Sequence, residues 1–110
     1  MAYARGDVVL VPFPFAEISA TKARPEIVLN DPSYERSTGN LILTQITGRG
    51  VRFPSAYALK GWVKAGLKRP SVVRMKLATM AAELVRFRVG RVSAQDAQEV
   101  AGRLRHVLGL

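Results

Sequence analysis

At 110 residues, 48% of them apolar, the chain (1–110) has the length of a single domain, and its lack of cysteine excludes a disulfide framework or a thiolate metal site. One histidine cannot build a multi-histidine zinc centre, and the apolar run from Val8 to Phe15 is too short and too rich in proline to span a membrane or serve as a signal peptide, so the chain reads as soluble, unexported and cytoplasmic. Seventeen basic residues against eight acidic ones give a net charge of +9, and Arg36 to Ala82 holds no Asp or Glu, which points to a polyanion partner rather than a membrane surface.

Taken in chain order, Asp7 to Phe15 is rich in Val and Phe and predicts a strand, with Pro12 and Pro14 suiting an edge or a bend. Glu26 to Leu29 predicts a short strand after Pro25. Asn30 to Ser33 and Ser37 to Asn40 have turn composition. Leu41 to Thr47 and Ser71 to Leu77 predict two further strands, whereas Glu83 to Val89 fits either a strand or a single helical turn. Ser93 is an N-cap, Asp96 suits the positive end of a helix dipole, and Ala97, Val100, Ala101, Leu104, Val107 and Leu108 recur at helical spacing. The expected fold is α+β: a strongly bent antiparallel sheet closed by a C-terminal helix.

Several segments, in order, resemble the PemK/MazF toxin family. They are Arg5-Gly6-Asp7-Val8-Val9-Leu10-Val11, then Lys22-Ala23-Arg24-Pro25-Glu26-Ile27-Val28-Leu29, then Gln45-Ile46-Thr47. Leu67 to Arg74 and the tail from Val89 to Leu110 complete the likeness. The resemblance implies an SH3-like β-barrel, a homodimer, cleavage of single-stranded RNA without metal or other cofactor, and neutralisation by a small cognate antitoxin. This chain departs from the family in the first loop, where Ile18-Ser19-Ala20-Thr21-Lys22 replaces a longer Gly-rich segment, and in the compact connection that carries Trp62.

RNA cleaves itself when a 2′-hydroxyl attacks the adjacent phosphorus in line, and positioning plus cations supply much of the help that step needs. Arg24 and Thr47 are the catalytic candidates. A guanidinium stays protonated and grips two phosphate oxygens at once, and a hydroxyl at a strand end can hold the scissile phosphate. Thr44 and Thr47 are three apart and point to opposite faces, so one of them faces a cleft; the resemblance selects Thr47. Lys22 is a second cation or a base, and Arg49 sits between Gly48 and Gly50, which allow close backbone approach. Lys60, Lys64, Lys68, Arg69 and Arg74 extend the RNA-binding set. Trp62 can stack on a base or pack in the core, and Tyr57 and Phe53 are similarly open. Asp7 suits a structural ion pair, His106 a solvated helix face, and Val51 to Tyr57 part of a dimer surface. The same charge also fits a non-catalytic nucleic-acid-binding barrel, and the same fold a gyrase-directed toxin.

Overall fold

The computed structural model describes residues 2–13, 22–50 and 53–110. Strand β1 (Asp7–Phe13) alternates small branched residues between two buried faces. It pairs antiparallel with β2 (Lys22–Val28) on one side and with β6 (Phe87–Arg91) on the other. The centre of the sheet continues through β3 (Asn40–Thr47) to β5 (Val72–Ala81), with the two-residue β4 (Tyr57–Ala58) at the far edge. The order β4-β5-β3-β2-β1-β6 makes one curled, half-closed antiparallel barrel, and α2 (Ala94–Leu108) packs against it, which is the expected α+β arrangement.

Two apolar clusters lie on the two faces of the sheet. Val8, Ile27, Ile46 and Val73 join Tyr57, Leu59 and Val100 on one face; Val9, Val11, Val28, Leu41, Leu43 and Met80 meet Tyr3 on the other. The period of two explains the division, since Val8 and Val9 leave β1 in opposite directions. Truncating a fully buried member such as Leu43 to Ala carries the usual cost of about 2–5 kcal/mol.

The connection after β4 crosses from one edge of the sheet to the other. At Gly90 a side chain would run into the carbonyl of Ala65, and at Gly66, with φ +87°, it would meet the carbonyl of Val89. Only glycine permits that backbone contact, which fastens the connection onto β6. The segment is also tied to α2. Asp96 accepts hydrogen bonds from the Tyr57 hydroxyl at 2.7 Å, Gly61 N at 2.8 Å and Lys60 N at 3.1 Å. Arg103 donates to the carbonyls of Pro54 and Ala56 and lies over the Tyr57 ring.

Several expectations shift. The first strand is described only to Phe13, and the rest of its expected span, with the loop residues Ile18 to Thr21, lies outside the described residues. β2 starts at Lys22, which brings Arg24 and Pro25 into the strand. Where turns were expected at Asn30 to Ser33 and Ser37 to Asn40, the chain forms a short helix that overlaps both, α1 (Pro32–Thr38), capped by Asp31 and stopped by Gly39 at φ +74°. Its signals, an Asx N-cap with proline in the first turn and glycine beyond the end, were already in the sequence. β5 runs on to Ala81, and Glu83 to Val89 divides into a 3-10 turn (Ala82–Leu84) followed by β6. Ser93 caps α2 as expected, its hydroxyl accepting from Asp96 N at 3.1 Å. Tyr57 is a buried core residue, so within Val51 to Tyr57 it cannot form the dimer surface; Val51 and Arg52 lie outside the described residues.

Candidate nucleic-acid interface

Register places the two catalytic candidates together. β2 and β3 pair with Glu26 opposite Gln45, Ile27 opposite Thr44 and Val28 opposite Leu43. Arg24 and Thr47 each lie two residues beyond the last pair, Glu26 with Gln45, so alternation puts both on the same face of the sheet. Both line one open cleft of about 860 Å³. Thr47 is half-buried there, and its hydroxyl oxygen accepts from Arg49 N at 3.1 Å, which leaves the hydroxyl proton available to a ligand. Thr44 is fully buried, away from the cleft.

The cleft is cationic throughout. Lys22, Arg24, Arg49, Lys68, Arg69 and Arg88 line it, and no Asp or Glu does among the described residues. Leu10, Pro25, Ile46, Leu67, Phe87 and Val89 supply the apolar part of the wall. Gly48 lets the Arg69 side chain lie across the strand end, since a side chain at 48 would collide with it. Cations on a partly apolar floor hold phosphates while offering surface to bases. Among the described residues, no group of three or more His, Cys, Asp or Glu side chains converges to hold a metal ion.

Other candidates lie elsewhere. Lys60 and Lys64 are exposed on the connection after β4 and do not line the cleft. Trp62 is half-buried and packs against the first apolar cluster, so the core takes it. Arg74 is half-buried on β5, with Nη1 donating to Gln45 Oε1 at 3.1 Å. Asp7 is a buried ion-pair partner, 2.9 Å from Arg91 Nη2 and 3.4 Å from Arg88 Nη1, and His106 is exposed on α2. Two residues of the cleft escaped sequence reading. Arg88 and the exposed Phe87 sit in the stretch that fitted either strand or turn, and the alternation Phe87-Arg88-Val89 was the signal that marked them.

A carboxylate stands directly behind this cleft. Glu26 is buried two residues inward from Arg24 along β2, and burial pushes its pKa up to about 7, with Lys76 and Arg24 pulling the other way.

The family model that describes a PemK-like, MazF-like toxin of type II toxin-antitoxin systems matches residues 4–108. Among solved structures, a MazE-MazF complex from Deinococcus radiodurans superposes with a TM-score of 0.81 at 22% identity, over 100% of this chain and 99% of that one. A mycobacterial endoribonuclease in complex with its cognate antitoxin superposes with a TM-score of 0.78 at 17% identity, over 99% and 95%. The Mycobacterium tuberculosis toxin MazF-mt6 gives 0.76 at 18%, over 94% and 97%. At these identities the likeness is one of fold. Curated protein sequences yield no significant match.

Proposed function

Because this chain belongs to the PemK-like, MazF-like toxins of type II toxin-antitoxin systems, we propose that it is an endoribonuclease that cuts single-stranded RNA without a metal ion. The observation that carries the reading is that Arg24 and Thr47 line one cleft, which is rich in cations and free of carboxylates among the described residues.

The reaction is an in-line displacement. The 2′-oxygen forms a bond to phosphorus as the bond from phosphorus to the 5′-oxygen breaks. The hydroxyl proton passes to solvent, the departing oxygen takes one up, and the products are a 2′,3′-cyclic phosphate and a 5′-hydroxyl. Thr47 donates its hydroxyl proton to a phosphate oxygen and fixes the phosphorus for attack. Arg24 spreads two hydrogen bonds over the equatorial oxygens, where negative charge grows in the phosphorane. Lys22 and Arg49 add positive charge at the strand ends, and Lys68, Arg69 and Arg88 guide the backbone on either side. Phe87 offers an exposed ring to a neighbouring base. Lys60 and Lys64 extend the positive surface outside the cleft.

The partner is a cognate antitoxin. A segment rich in Asp or Glu suits the same cleft and shuts out RNA by occupying it. The deciding experiment incubates purified protein with a mixed RNA in excess EDTA and maps the ends. Cleavage leaving cyclic phosphates and 5′-hydroxyls is expected, with an acidic antitoxin segment raising the apparent KM. RNA that is bound but left intact would make this chain a non-catalytic RNA binder instead.

A further inference from the structure

The mechanism above has no use for Glu26, yet its placement is unusual for a carboxylate. It follows Arg24 by two residues on β2, so both side chains leave the same face. Across the ladder it faces Gln45, which precedes Thr47 by two. Glu26 and Gln45 are the last cross-strand pair of the ladder, and Arg24 and Thr47 lie two residues beyond it on the same face, both lining the cleft. Glu26 is 2% exposed, and its Oε1 has no hydrogen-bond partner among the described residues. A buried carboxyl oxygen left in that state is costly unless it serves something.

Neighbouring strands bring it cations. On β5, three residues, 74 to 76, stand against the single Gln45, because Thr44 pairs with Leu77 and Ile46 with Val73. Met75 takes φ +32° at this bulge, and Arg74 reaches Gln45. The charged groups facing Glu26 among the described residues are therefore Arg24 from its own strand and Arg74 and Lys76 from β5. β3 brings the neutral Gln45, and β1 brings the apolar Val9.

We propose that Glu26 is a positioning residue of the RNA site, which takes up a proton as a substrate phosphate seats on Arg24. The proposal rests on the cleft being the RNA site. An ionised Glu26 and a bound phosphate compete for one guanidinium, and two negative charges flanking it in a water-poor setting repel each other. Neutral Glu26 removes one competitor for the Arg24 guanidinium. Burial already holds the carboxyl near the point of exchange, at about 7, so the proton is taken from solvent within the physiological range. Phosphate binding and protonation of Glu26 then favour each other.

A single-stranded oligodeoxynucleotide tests this, since it carries the phosphates but lacks the attacking hydroxyl. Its affinity for the wild-type protein, at constant ionic strength, should fall by about tenfold from pH 6 to pH 8.5. Glu26→Gln should hold the low-pH affinity across that range. Calorimetry in two buffers of different ionisation heat should show proton uptake with the wild type and none with the variant. Carbon-13 NMR of the Glu26 carboxyl in the wild type gives a readout free of substitution: its titration midpoint should rise when the oligonucleotide is added. Affinity independent of pH, a slope that survives in Glu26→Gln, an unmoved midpoint, or no binding at any pH would overturn the proposal. Coupling without RNA cleavage would remove only the nuclease reading, and cleavage with pH-independent binding would remove only the role of Glu26.

Discussion

Arg24 and Thr47 contribute to the proposed reaction in different ways, and single substitutions separate them. Arg24 supplies charge that matters most once the phosphorane forms, so Arg24→Ala should lower kcat by about 10²–10³-fold with a small change in melting temperature. Arg24→Lys should stay poor, because an ammonium cannot reproduce two parallel hydrogen bonds. Thr44 is the internal control. It is fully buried and its hydroxyl has no partner among the described residues, so Thr44→Val should preserve both cleavage and stability, while Thr47→Ala should lose cleavage. Rates and melts of these variants check the assignment, and near wild-type cleavage by Arg24→Ala would move the principal cation to Lys22 or Arg49.

Among the elements, the join between α2 and the connection after β4 ties down the start of a segment whose later residues, Gly66 to Arg69 and Ser71, line the cleft. Asp96, fully buried, occupies the third position of the helix and reaches outward to Tyr57, Lys60 and Gly61. Burial pushes its carboxyl upward, but hydrogen bonds from Tyr57, Gly61, Lys60 and Ser93 outweigh that and hold it below the ordinary 3.8. A carboxyl depressed by folding stabilises the native state above its unfolded pKa and loses that contribution as pH falls through the lower folded value. Asp96→Ala leaves the buried Tyr57 hydroxyl and the part-buried Lys60 and Gly61 amides, with Ser93, without their acceptor and should cost about 3 kcal/mol at pH 7, and less in acid. Urea midpoints at fixed protein concentration, at pH 7 and near pH 3, measure both arms. Equal losses at the two values would show that the carboxylate charge plays no part.

At the scale of the whole molecule, exposed apolar surface argues for a second copy, against the pull of charge. The net charge of +9 opposes self-association, so a dimer must bury apolar groups to offset it. Outside the cleft, Phe53 and Val63 are each more than half exposed, at 60% and 67%. Two copies joined by two-fold symmetry would run their cationic clefts into one longer path for RNA. Sedimentation at micromolar concentration should find a particle of twice 12.0 kDa, held together more firmly as salt screens the repulsion. A monomer at every salt concentration would remove the homodimer. Among the described residues no helix is long and apolar enough to cross a membrane.

Features governed by short-range rules were legible in the sequence. Helix α2 was readable from its Ser93 cap and apolar period, because capping and periodicity involve residues a few positions apart. The strands at the centre of the sheet, the bent antiparallel fold and the candidates Arg24 and Thr47 were readable from composition, acid-free charge and resemblance. Tertiary structure decided what depends on distant partners. It took Trp62 into the core and brought Arg88 and Phe87 to the cleft. It also turned Asp96 from a helix-dipole residue into a clamp on a connection 35 residues away. Above all it buried Glu26 behind Arg24. In the sequence Glu26 is a strand residue after a proline; its desolvation comes from β1, β3 and β5 closing around it, and no local pattern encodes that enclosure.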